Sequence, residues 1–153
     1  GKLDFAKEVA PDIERIRKQA KLNENVTLFK GFKGIKTVFE DIIDNAKENL
    51  IFGSEGQFSK NMPLFAEQFS ERLENKGMKV RSIVRTNRQD AEKRGNYRRI
   101  PSGIESPVVT NIYGNKIAIV IWSDVPEAIL IENKKAADAY RDYFNFMWRY
   151  AKR

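Results

Sequence analysis

The sequence predicts an α/β fold: a mixed β-sheet flanked by helices and preceded by an N-terminal helix. Two observations carry this expectation. Between residues 26 and 86, short strand-like runs alternate with segments of helical period. That alternation puts helices on the faces of a partly parallel sheet. Between residues 107 and 132, three strand-like runs follow one another through tight turns, so this part of the sheet is antiparallel.

Each element has its own signal. In residues 2–22, Phe5, Val9, Ile13, Ile16 and Ala20 recur at spacings of three and four, one stripe of a helix. Glu14 and Lys18 add an i,i+4 pair. Pro11 either kinks this helix or marks its true start. The stripe is either a coiled-coil seam or a surface docked on the domain, and Val9, Ile13, Ile16 and Ala20 are the candidate dimerisation residues. The break at residues 23–25 divides the chain into a linker helix, 1–24, and a domain, 25–153.

Residues 26–30 form a first strand and Gly31 to Gly34 a turn. Ile35, Val38, Phe39, Ile42, Ile43 and Ala46 follow with helical spacing. Residues 50–53 form a short buried strand, and 54–56 a loop. Pro63 opens a helix that ends at Lys76-Gly77, because proline suits the first helical turn and glycine the position past the last. A strand follows over 78–86, then a polar, basic connection over 87–103 holding at most one helical turn. Strands are expected at 107–113, 116–122 and 127–132, with Gly114-Asn115 as the two-residue hairpin turn. Asn133 caps a final helix whose apolar face is Ala136, Ala137, Tyr140, Phe144, Met147 and Trp148.

Composition narrows the chemistry. The 153 residues contain no cysteine and no histidine, and the net charge is +7. Thiolate zinc sites, disulfides, Ser-His-Asp triads and histidine metal ligands are excluded. No metal site and no cofactor are expected. The longest apolar run, Ile117 to Trp122, is far too short to span a bilayer, so no membrane partner is expected and the location is read as cytoplasmic. The positive balance favours an anionic partner such as nucleic acid, or else serves solubility.

Several segments together carry a resemblance: Phe29–Ile35 (FKGFKGI), Leu50–Gly53 (LIFG), Gly77–Val84 (GMKVRSIV), Ile112–Ile119 (IYGNKIAI), and Glu132–Ala137 (ENKKAA) through Tyr143 and Phe144 to Trp148. Their order and spacing resemble the C-terminal effector domain of TrmB-like transcriptional regulators, built as a phospholipase D-like half-unit. The resemblance implies a homodimer, a small-molecule effector, and DNA bound through an upstream winged-helix module that this chain does not contain. Enzymes of the phospholipase D type carry His-x-Lys-x4-Asp on the first strand of the late hairpin. The corresponding positions here are Ser106, Val108 and Tyr113. A serine without a base is a poor nucleophile and valine cannot hold a phosphate, so the expectation is a non-catalytic domain.

Two candidate sites follow. Ligands gather beyond the carboxyl ends of parallel strands, which points to Ser54 and Glu55, to Arg85 and Asn87, and to Trp122 and Ser123. Arg85 is read as an anion clamp or a solvated side chain, and Trp122 as a stacking platform or core. The basic stretch from Arg81 to Arg99 supplies Arg88, Lys93, Arg94, Arg98 and Arg99 as candidate nucleic-acid contacts, or else a solvated loop. The alternatives to a regulatory domain are a divergent phospholipase D-type phosphodiesterase or nuclease and a stand-alone basic nucleic-acid-binding module.

Overall fold

A computed structural model describes residues 11–16, 25–88, 96–101 and 105–153. Residues 11–16 are helical, with Ile13 and Ile16 exposed. Val9 and Ala20, the other two stripe positions, lie outside the described residues, as do Lys93 and Arg94.

Seven strands form one sheet: β1 (Val26–Lys30), β2 (Glu48–Phe52), β3 (Lys79–Arg85), β4 (Asn96–Ile100), β5 (Val108–Tyr113), β6 (Lys116–Ile121) and β7 (Glu127–Glu132). Their order is β1-β7-β6-β5-β2-β3-β4. The pairs β2–β3 and β3–β4 are parallel, and all others are antiparallel. This is the mixed sheet the sequence predicts. The helices are α1 (Gly31–Asn45), α2 (Gln57–Asn61), α3 (Pro63–Asn75) and α4 (Lys134–Tyr150).

The helical period of α1 buries Ile35, Val38, Phe39, Ile42 and Ile43 against one sheet face, together with Phe69 of α3 and Ala118, Val120 and Ala128 of the sheet. On the other face, Phe144 of α4 packs with Leu50, Ile83 and Ile112. Strand alternation explains the split: Leu50 and Asn49 are neighbours in β2 and point to opposite faces. Asn133 caps α4 as read, its side chain accepting a hydrogen bond from the Ala136 amide at 3.0 Å. The β5–β6 hairpin turns through Gly114 and Asn115, with Gly114 at φ 52°.

Three elements differ from the sequence reading. Gly31 to Gly34 is the first turn of α1, not a separate turn; the Gly31 amide is held by the Pro126 carbonyl at 2.7 Å. The five-residue α2 was not foreseen, being too short to show a period. Within the 87–103 connection lies β4, an edge strand. Its sequence, Asn-Tyr-Arg-Arg-Ile, lacks apolar alternation: Arg98 packs against an aromatic ring, and Arg99 binds backbone carbonyls. The Arg98 guanidinium lies 4.4 Å from the centre of the Trp148 ring and donates to the Trp148 carbonyl at 2.8 Å. Lys152 pairs with Arg99 and covers part of this edge.

Candidate functional site

The carboxyl ends of β2 and β3 come together as expected, and their side chains satisfy one another. Arg85 Nε donates to Glu55 Oε1 at 2.6 Å, and Glu55 is only 7% exposed. Arg88 is 5% exposed and donates to the Ser54 carbonyl at 3.0 Å and to Ser54 Oγ at 3.2 Å. Gly53 closes the crevice from beneath. Its φ is +87°, and a Cβ there would collide with the Val108 carbonyl oxygen. The Arg85 guanidinium, read as an anion clamp or a solvated side chain, is paired through Nε with the buried Glu55 carboxylate. Asn87 is exposed on the turn beyond β3.

The expected nucleic-acid contacts are corrected in part by the same geometry. The burial of Arg88 leaves no surface for a phosphate. Arg99 donates to the carbonyls of Arg88 at 2.7 Å and Thr86 at 3.1 Å, which fastens the turn after β3. Arg98 stacks on Trp148 as described above.

An open pocket lies one strand away, across β5. It has a volume of about 610 Å³ and is lined by Gln57, Asn61, Glu105, Ser106, Pro107, Trp122, Ser123 and Asp124. Three segments build it. The helix α2 supplies Gln57 and Asn61 one turn apart. The entry to β5 supplies Glu105 to Pro107. The exit from β6 supplies Trp122 to Asp124, and the Trp122 amide donates to the Pro107 carbonyl at 2.9 Å.

A short ladder of hydrogen bonds positions these walls. The Glu55 amide donates to Gln57 Oε1 at 2.7 Å, and Gln57 Nε2 donates to the Ser106 carbonyl at 2.8 Å. The aromatic neighbour of Gln57 anchors the same helix in the core. Phe58 stacks on Phe39 with ring centres 4.2 Å apart, and on Trp122 at 6.2 Å. Trp122 therefore packs against the core and also lines the pocket. Ser123 lines the pocket as well, its hydroxyl donating to the Val125 carbonyl at 2.8 Å. Ser54, Glu55, Arg85 and Asn87 are not in its lining.

Chemically the pocket is acidic and polar. Glu105 and Asp124 make no ion pair among the described residues, and the lining holds no lysine or arginine. Ser106 Oγ accepts from the Val108 amide at 3.1 Å and donates to its carbonyl at 3.3 Å, a turn that starts β5. No described base touches it. Sequence reasoning named Ser106, Trp122 and Ser123 but missed Gln57, Asn61, Glu105, Pro107 and Asp124. The i,i+4 spacing of Gln57 and Asn61 was the only local signal.

Tyr113, at the far end of β5, takes no part in the pocket. Its hydroxyl donates to Asp41 Oδ2 at 2.7 Å, and Lys116 Nζ approaches the same carboxylate at 2.9 Å. Burial, the Asp41 hydrogen bond and the adjacent negative charge push the Tyr113 phenol far above its ordinary value. Burial raises the Asp41 carboxyl, but hydrogen bonds from Lys116 and Tyr113 and the Lys116 charge outweigh it and hold it below the ordinary aspartate value. The cluster ties α1 to the β5–β6 hairpin.

No family model and no curated protein matches the chain by sequence. Solved structures match it by fold. TrmBL2, an archaeal chromatin protein described as showing a novel mode of DNA binding, superposes with a TM-score of 0.56 at 14% identity, over 97% of this chain and 66% of that one. Nuc from Salmonella typhimurium, a phospholipase D family member, superposes at 0.59 and 10% identity, over 83% and 95%. NucT from Helicobacter pylori superposes at 0.63 and 10% identity, over 83% and 97%. The chain thus spans slightly less than two thirds of the length of TrmBL2. At these identities the likeness establishes the fold: the phospholipase D-like fold implied by the sequence resemblance. No helix among the described residues is long and apolar enough to cross a membrane.

Proposed function

We propose that this phospholipase D-like scaffold serves as a non-catalytic effector domain of a DNA-associated, TrmB-like regulator, with the pocket at Ser106 as its ligand site. The observation that carries the reading is the lining of that pocket. Where the family motif places a histidine and a phosphate-holding lysine, this chain has Ser106 and Val108, flanked by the carboxylates of Glu105 and Asp124. Two carboxylates without an ion-pair partner among the described residues disfavour a phosphodiester, although Glu105 lies within electrostatic reach of Arg85, and a serine bound to its own backbone lacks the base that would make it a nucleophile.

The same lining defines a ligand class. Carboxylates and amides accept hydrogen bonds from hydroxyl or ammonium groups, and the Trp122 ring offers a flat apolar wall. The ligand is therefore uncharged or cationic, bears hydroxyl or amine groups, and lacks phosphate. The fold shared with TrmBL2 supports association with DNA, through a winged-helix module upstream of residues 1–24. In this reading residues 1–24 are the linker, with Ile13 and Ile16 in a dimer seam, and 25–153 the effector domain. A ligand that binds one dimer arrangement more tightly shifts the population toward it.

The test has two arms. The purified chain is incubated with bis(p-nitrophenyl) phosphate, and no turnover above background is expected. Turnover that disappears in Ser106→Ala overturns the reading in favour of a divergent phosphodiesterase. In parallel, thermal shift against neutral polyols, amines and phosphorylated compounds is expected to respond to the first two classes and to lose that response in Glu105→Ala. A response confined to phosphorylated compounds contradicts the ligand class.

A further inference from the structure

The pocket and the crevice share one loop. Positive φ at Gly53 and Gly56, 87° and 81°, turns the chain tightly on both sides of Ser54 and Glu55. Both inner residues are held from the end of β3 and the turn beyond it. Arg85 grips the Glu55 side chain at 2.6 Å, and Arg88 the Ser54 carbonyl at 3.0 Å. The first residue past the loop is Gln57, which lines the pocket.

Both ends of the Gln57 amide are engaged with backbone. Oε1 accepts from the Glu55 amide at 2.7 Å, and Nε2 donates to the Ser106 carbonyl at 2.8 Å. One bond reaches the crevice loop and the other the entry to β5. Hydrogen bonds are directional, so a shift of the Glu55 amide turns the Gln57 amide plane and loosens its hold on Ser106. Glu105, the pocket acid, directly precedes Ser106, so its place depends on the same bond.

Charge adds a second link. The hydrogen bond to Glu55 raises the Arg85 guanidinium above its ordinary value; burial opposes this, and the charges of Glu55 and Glu105 reinforce it. Arg85 thus feels the crevice acid and the pocket acid together. At 7% exposure, Glu55 cannot leave Arg85 without stranding a buried charge, so the pair is a firm anchor.

We propose that Glu55 and Arg85 are positioning residues for the pocket, acting through Gln57, although neither lines it. The inference rests on the reading of the Ser106 pocket as a ligand site. In this role Glu55 and Arg85 meet no ligand; they fix the wall that does. Linkage makes the effect reciprocal, so an occupied pocket tightens the Glu55–Arg85 pair.

Nuclear magnetic resonance on the whole chain tests it without a ligand. Glu55→Gln removes the charge and keeps an oxygen for Arg85. It should shift the Ser106 amide and the Trp122 indole N–H, neither of which Glu55 bonds. Gln57→Ala should speed solvent exchange of the Arg85 Nε–H, which Gln57 does not bond. In the double variant, the shift that Glu55→Gln causes at Trp122 should vanish, because the two residues act as one unit. Pocket signals that stay in place in Glu55→Gln overturn the proposal, as does a shift of equal size with and without Gln57. Gln57→Ala changes only a partly exposed side chain, so the Arg85 readout decides the matter if Glu55→Gln fails to fold; unchanged exchange there overturns the proposal. Tyr113→Phe is the control for general loosening, and movement of the same pocket signals in it overturns the proposal too. A second arm titrates 1,4-diaminobutane as the probe amine. Glu55→Gln should weaken its binding about fivefold or more, and the loss should be absent in the Gln57→Ala background. Equal affinity in the parent chain and Glu55→Gln overturns the proposal. No binding to the parent chain counts against the amine ligand alone, and the resonance arm still decides the positioning.

Discussion

Two neighbouring regions of this molecule contain similar residues and do different things. The crevice beyond β2 and β3 holds an acid, two arginines and a serine; the pocket beside it holds two acids, two amides and two serines. In the crevice the charged groups face each other and are buried. In the pocket the carboxylates make no ion pair among the described residues, although Glu105 lies within electrostatic reach of Arg85. Residue type alone marks both as sites, and only pairing tells them apart. A group engaged inside the protein contributes stability, whereas an unengaged group in a cavity is available for recognition.

The sharpest way to break this comparison is to reopen the crevice. Gly53 has a positive φ that other residues rarely adopt, and a Cβ there meets the Val108 carbonyl. Gly53→Ala should cost about 2–4 kcal/mol in chemical denaturation, through strain and displacement of β5. If the variant is as stable as the parent, the crevice is looser than described and the distinction between the two regions weakens.

A second, smaller effect comes from the buried arginine. Arg88→Met keeps much of the side-chain volume and removes the donors to Ser54. It should destabilise by about 1–3 kcal/mol, because the Ser54 carbonyl loses its partner in a buried setting. Denaturation in urea reads the change. An unchanged midpoint together with weakened DNA retention would return Arg88 to the surface role that its sequence neighbours led one to expect.

This contrast also explains which parts were legible in the sequence. The hairpin of β5 and β6 was written locally, as Gly114-Asn115 between strongly apolar runs. Asn133 and Pro63 marked helix starts by their own backbone chemistry. The strand β4 was not legible, because what buries Arg98 is Trp148, fifty residues away on α4. The helix α2 is shorter than any period can register. The crevice residues were found by type, but their mutual pairing depends on a parallel register between β2 and β3 that no local pattern encodes. The pocket needed α2 in place before Gln57 and Asn61 could be seen as a wall.

At the far end of β5 the comparison extends to the third motif position. Tyr113 replaces an acid, and its hydroxyl is engaged with Asp41. Tyr113→Phe should cost about 1 kcal/mol at neutral pH. The pH profile adds a signature with a defined sign. The Tyr113 phenol is raised in the folded state, so its contribution is fully present below about pH 10 and is lost as pH climbs above that value. Asp41 is depressed in the folded state, so its contribution is fully present above about pH 4 and is lost as pH falls further. Stability curves should therefore lose their alkaline limb in Tyr113→Phe and part of their acid limb in Asp41→Asn. Identical limbs in the parent and both variants would mean the cluster is not formed in solution.

The smallest stability effects belong to the pocket, and their smallness is informative. Asn61 is exposed and bonds only within its own helix turn, its amide donating to the Gln57 carbonyl at 2.7 Å. Glu105 is exposed and, among the described residues, has no ion-pair partner. Asn61→Ala and Glu105→Gln should each shift stability by no more than about 0.5 kcal/mol. Yet both line the cavity at Ser106, so both should change the response to a hydroxyl- or amine-bearing ligand. Glu105→Gln separates the two contributions of the acid: it keeps the hydrogen-bonding shape and removes the charge. A cationic ligand should lose affinity in this variant while a neutral polyol keeps most of its own. If Glu105→Gln instead destabilises the fold as strongly as Arg88→Met, the pocket acid is structural after all, and the division between the engaged crevice and the unengaged pocket fails at the residue on which it most depends.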